Sequence, residues 1–177
     1  MPKKLLSPLF LTKTMAENAI GAAVDAAQSN RLGFYLKHNM CHVVILVPAM
    51  EDDGGVGYPN YPIQPHLLAE LSSGEKEKWP HDFSNIARCK ALQLWHDRND
   101  GGTDINPHLL FSGDTPFWGG VKRDGIVVAC SGVQPWFDRM IAGITADVCV
   151  ALAYNAWMKS LDKAKGVDFV TDMTPAS

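Results

Sequence analysis

The chain has 177 residues, of which 46% are hydrophobic and 20% charged, with a formal net charge of -3. That length is a single domain with its own core, and slight acidity gives nucleic acid or an anionic membrane no basic face to bind. Cys41, Cys89, Cys130 and Cys149 lie far apart with no C-x-x-C pair, so free thiols in a reducing, cytoplasmic compartment are expected rather than disulfides or zinc.

Residues 1–13 read as an ordered or partner-swapped arm. The apolar run Leu5–Leu11 is short, is broken by Pro8 and meets Lys13 instead of a cleavage site. No apolar run approaches the roughly 20 residues of a membrane span. Thr14 and Glu17 have capping-box spacing and open an alanine-rich helix that Asn30 and Gly33 end. His42–Val47 is a continuous apolar run, a strand buried on both faces and stopped by Pro48. Asp52-Asp53-Gly54-Gly55 reads as a solvated turn, because no further carboxylate follows at calcium-loop spacing.

Residues 57–80 carry Pro59, Pro62, Pro65 and the charged run Glu75–Lys78, the pattern of a surface excursion with a short helix at His66–Leu71. Such a segment serves as a lid or an oligomer contact. Asp82 or Ser84 caps the next helix, Phe83 to about Asp97, with Ala87, Ala91, Leu94 and Trp95 inward. Lys90 falls at the edge of that apolar side, either snorkelling to water or pointed into a site. His96 closes the helix, and Pro107–Asp114 forms a short helix or turn.

Trp118–Gly132 reads as a β-hairpin, the Asp124-Gly125 pair supplying the positive φ angles of a tight primed turn. A long helix starts at Pro135, carries Asp138 near its beginning, and presents Phe137, Ile141, Ile144, Val148 and Leu152 as a core-facing stripe. Gly166 stops the helical region and residues 167–177 form a weakly ordered tail. No internal repeat, phosphate loop, nucleophile elbow or dinucleotide fingerprint is present.

Three stretches together resemble the GlcG/HbpS family: Ser84-Asn85-Ile86-Ala87-Arg88-Cys89-Lys90-Ala91, the Gly119-Gly120-Val121 to Gly132 hairpin, and Asp138 with Ala142. The chain also resembles the C-terminal haem-binding domain of PduO-type corrinoid adenosyltransferases. The likeness implies an α/β (α+β) profilin-like domain, an antiparallel five-stranded sheet flanked by helices, often assembled as a homo-oligomer. The sequence departs from the family in the proline-rich excursion, at Lys122 in place of a proline, and in a hairpin strand poorer in glycine.

Three functional readings follow. In the first, the protein binds haem or a related planar ligand. Gly119, Gly120, Ser131 and Gly132 frame the pocket, Trp118 stacks on the guest, and His42 is a candidate iron donor among six histidines. In the second, a cofactor-independent enzyme acts on a small anionic catabolic intermediate. The same glycines and Ser131 then donate backbone N–H groups, Lys90 is the charge partner or base, and Asp138 and His96 move protons. No metal site is expected in this second reading. A purely structural accessory of a catabolic enzyme is the third reading.

Overall fold

The centre of the sheet is set by the apolar run that begins at Cys41, since Val43, Val44, Ile45 and Val47 are all fully buried. In the computed structural model, which describes residues 4–52, 63–99 and 104–171, this run lies in strand β2 (Cys41–Asp52). The Asp53–Gly55 part of the expected turn, residues 57–62 of the excursion, Asp100–Gly102 and residues 172–177 of the tail lie outside the described residues.

The described elements are β1 (Lys4–Leu6), α1 (Lys13–Ala27), β2, β3 (Gln64–Ser73), α2 (Phe83–Trp95), β4 (Gly120–Arg123), β5 (Ile126–Ser131), α3 (Pro135–Met158) and α4 (Leu161–Lys165). All pairings among the five strands are antiparallel. β2 takes β3 along Cys41–Ala49, β5 along His42–Leu46 and β1 at Met50–Asp52, while β4 pairs with β5. The architecture is α+β, a five-stranded antiparallel sheet with helices on both faces.

Alternation along β2 divides the interior in two. Val43, Ile45 and Val47 join Val128 and Cys130 of β5 against α1 and α3, where alanines 16, 19, 23 and 27 let α1 come close. Val44 and Leu46 join Val127 and Ala129 against Ala87, Ala91 and Leu94 of α2. The hairpin is as the sequence implies. Asp124 and Gly125 both have positive φ, +49° and +82°, and Arg123 pairs with Ile126.

Other expectations are corrected. Of the two alternatives for the arm, the ordered one holds over Lys4–Leu6, an edge strand on β2 of the same chain, whereas Pro48 does not stop β2. Pro48 faces Pro65 across the β2–β3 ladder, and two facing prolines need no N–H from each other. β5 has already ended its pairing at Leu46, so the missing N–H leaves no bond of that ladder unmade. The excursion contains β3 rather than a helix at His66–Leu71. Ile45 faces Ala69 but Leu46 faces Leu67, so Leu68 is the extra residue of a bulge.

The cap of α1 is Thr12, whose hydroxyl accepts from Met15 N at 3.3 Å, not Thr14. Gln28 ends α1, and Gly33 opens a separate 3-10 turn. Asp82 caps α2, which ends at Trp95. Pro107–Leu109 is a single 3-10 turn. Gly166 has the left-handed conformation expected of a stop, but it closes α4, because the helical region breaks at Ser160. At 24 residues α3 has the length and apolar character of a membrane span, contrary to the sequence expectation. Its charged residues interrupt the run in sequence, and in the fold one face packs on α1, β4 and β5.

Candidate functional site

The inward face of α2 repeats at Ala87, Lys90, Ala91 and Leu94, which places a lysine in an otherwise apolar stripe. Lys90 is 1% exposed and Asp138, in the first turn of α3, is 2% exposed. The Lys90 Nζ donates to Asp138 Oδ2 at 3.0 Å and to the Cys130 carbonyl at 2.8 Å. The other carboxylate oxygen of Asp138 accepts from Val133 N at 3.2 Å. Burial raises the Asp138 pKa to about 6, against the pull of the Lys90 ammonium and the Val133 N–H toward the charged form. Burial likewise pushes the neighbouring Cys130 thiol well up, so it is a poor nucleophile.

A hollow of about 210 Å³ opens against this pair. Ser131 and Gly132 join Lys90 and Asp138 in lining it, apolar wall comes from Phe83, Ile86, Phe117 and Pro135, and Lys37, His38 and His81 also line it. Lys37 and His81 are exposed, which sets positive and imidazole groups toward solvent and the ion pair inside.

The mouth loop is held by a side chain acting as a strand. The Gln93 amide donates from Nε2 to Thr115 O and accepts at Oε1 from Thr115 N, both at 3.1 Å. Arg98 adds an ion pair with Asp114 and lies 4.2 Å from the Phe111 ring centroid. Phe117 is thereby delivered to the hollow.

The structure brings together Lys90, Asp138, Ser131 and Gly132 from the sequence-derived set. It does not place Gly119 or Gly120 on the hollow, so the expectation that these two glycines frame the pocket is corrected. A Cβ on Gly119, at φ +128°, would lie 2.5 Å from Asp138 Cβ and 3.2 Å from Lys90 Nζ. One on Gly120 would lie 2.6 Å from Leu94 Cδ1. Both glycines exist so that the protein's own helices can close in. Gly132, at φ +146°, is similarly pressed against the Met40 carbonyl.

Trp118 is half-buried and outside the lining. His96 is exposed at the C-terminal cap of α2, away from the ion pair. His42 is 3% exposed and sits one strand over, paired in register with Ser131. Its Nδ1 meets Ser72 Oγ at 2.8 Å and its Nε2 meets Glu70 Oε2 at 3.0 Å. Both ring nitrogens are engaged, and the hollow is below the roughly 300–1,000 Å³ of pockets for drug-sized ligands. His42 is therefore not free to ligate iron, and the volume of this hollow does not fit a haem. Among the described residues, no three His, Cys, Asp or Glu side chains gather where a metal could be held.

Lys37 and Phe117 were not singled out by sequence reasoning, and His38 and His81 entered only among the six histidines. They come from loops that converge only in the fold, and no periodicity marks them. Gln93 was also missed, though a polar residue two positions from Ala91 and next to Leu94 on a packed helix was a usable signal. The chain matches no family model, no curated protein and no solved structure.

Proposed function

We propose that the protein binds a small organic anion with an apolar body in the hollow between α2 and the start of α3. The observation that carries this reading is the Lys90–Asp138 pair lining that hollow. An ion pair withdrawn from water recovers its desolvation cost poorly, and an apolar pair of similar volume is often as stable or more so. Its presence beside an opening is better explained by work on a ligand. Lys90 uses two of its three donors within the protein, which leaves one for a guest's oxygen. Lys37 adds charge at the solvent side and the phenylalanines hold the body.

A second reading is favoured by one specific observation, the raised pKa of Asp138. A carboxyl group that titrates near neutrality beside an ammonium can pass a proton to or from a bound enolisable acid without a cofactor. Haem is the remaining ligand expectation carried by the GlcG/HbpS likeness, as is the profilin-like form of the sheet. Homo-oligomer formation belongs to the same proposal and is supported by exposed Trp136, Tyr154, Met158 and Leu161 on α3 and α4. Residence in a reducing, cytoplasmic compartment is supported by the free thiols of all four cysteines.

The test is a thermal-shift and calorimetric screen of small aryl and alkyl carboxylates, with haemin as a separate arm. Carboxylates are expected to raise the Tm of the native chain. Lys37→Ala, a surface change, weakens binding several-fold with the apo Tm unchanged, and Asp138→Asn alters the pH dependence of binding. A Soret shift with haemin and no carboxylate binding would overturn the reading.

A further inference from the structure

The hollow leaves a second polar constellation unused. Register places His42 of β2 directly opposite Ser72 of β3, with Glu70 two residues along on the same face. Ser72 is exposed, His42 is buried, and the Glu70 side chain is 25% exposed. The chain of contacts runs hydroxyl, imidazole, carboxylate, guanidinium, with the imidazole the buried member and exposed groups at both ends. Ser72 Oγ lies 2.8 Å from His42 Nδ1, His42 Nε2 lies 3.0 Å from Glu70 Oε2, and Arg88 binds both Glu70 oxygens at 2.7 and 2.8 Å.

We infer that Ser72 is an acyl-accepting nucleophile with His42 as its general base and Glu70 as the positioning carboxylate, acting on small, solvent-accessible esters. A carboxylate has no proton to donate, so Nε2 carries the hydrogen and Nδ1 is left as the acceptor facing the serine. This is the arrangement a hydroxyl nucleophile needs, with the two ring nitrogens in exchanged roles relative to the usual serine triad. Burial holds the imidazole below its ordinary pKa, and Arg88 of α2 and Lys76 of the turn after β3 push the same way, while Glu70 opposes them. The base is therefore neutral and ready at pH 7. A histidine serving packing alone needs one partner for its N–H, not an exposed hydroxyl on its other nitrogen. The arginine clamp holds the Glu70 pKa down to about 2, which keeps the carboxylate charged at working pH.

The step balances without a cofactor. Ser72 Oγ bonds to the acyl carbon, its proton passes to His42 Nδ1, and the alkoxide leaves with that proton. Water then attacks the acyl-serine, gives its proton to the same nitrogen, and Ser72 recovers it as the carboxylic acid departs. Trp79 packs edge-on near the imidazole, 6.2 Å between centroids, and shields it on one side.

The test treats the full chain with a fluorophosphonate probe and, separately, with p-nitrophenyl acetate at pH 8. Intact and peptide mass should show one adduct, on Ser72, and the ester should give a burst of nitrophenol. Ser72→Ala, at an exposed position, should abolish both with Tm unchanged, and His42→Asn should slow labelling by about 100-fold or more. Glu70→Gln should slow labelling and move its pH midpoint downward, a shift that a merely structural carboxylate would not produce. A folded protein that takes no adduct on Ser72, or equal ester hydrolysis in Ser72→Ala, overturns the inference. Neither result bears on carboxylate binding in the hollow, which is read by a different assay.

Discussion

Gly119 shows most directly how a missing side chain can mislead. The Gly-Gly pair is visible in the sequence, but a pair of glycines marks close approach without saying what approaches, a guest or the protein itself. Here Asp138 and Leu94 approach. Gly119→Ala combines a disfavoured φ with a clash against backbone-fixed atoms, so a loss of about 2–4 kcal/mol is expected, read by chemical denaturation. Two carboxylates should shape the pH dependence of stability in opposite senses. The Asp138 pKa is raised from 3.8 to about 6, so the folded state takes up its proton more readily than the unfolded chain. Stability from this group rises as pH falls from 7 through 6 toward 4, by about 3 kcal/mol at most. The Glu70 pKa is lowered from 4.5 to about 2, and its contribution is complete above 4.5 and lost as pH falls toward 2. A stability maximum at about pH 4 to 4.5 is expected from urea melts across pH, and Asp138→Asn should flatten its neutral side.

The elements legible in the sequence are those whose signals are local. α2 announces itself through Asp82 and a stripe at three and four, and the β4–β5 hairpin through Asp124-Gly125. β3 was not legible, because its evidence lies in another strand. Pro65 at its start and the bulge at Leu68 break the alternation that marks a strand, and only the ladder with β2 makes the segment extended. The α1 cap was misplaced by two residues because Thr14-x-x-Glu17 has the better pattern, while Thr12 makes the bond. Thr12→Ala should therefore cost about 1 kcal/mol in thermal melts, and Thr14→Ala far less. Lys90 was found in sequence at the edge of an apolar stripe, and Asp138 by its place near the start of the last helix and in the family resemblance. The loop residues around the hollow carry no such mark.

At the scale of the molecule, a sheet core divided by β2 leaves one place where α2 and α3 meet around the end of β5, and the ion pair joins them there. If the pair serves a ligand and not the fold, its removal should separate stability from binding. Lys90→Met alone leaves a buried carboxyl without its cation and is expected to destabilise by about 3–5 kcal/mol at pH 8. The double change Lys90→Met with Asp138→Leu should restore stability to the native level or beyond, in matched denaturant melts, while carboxylate binding stays lost.

The Gln93 clasp also bears on what can change in this protein. Because one amide reads the backbone of Thr115 and not its side chain, that hold does not depend on which residue stands at 115, while Arg98 adds a side-chain hold at Asp114 and Phe111. An insertion beside the exposed Pro107 and His108, which lie before both anchors, should leave Phe117 in place. That stretch is a natural insertion point for an optical sensor of whatever enters beneath it.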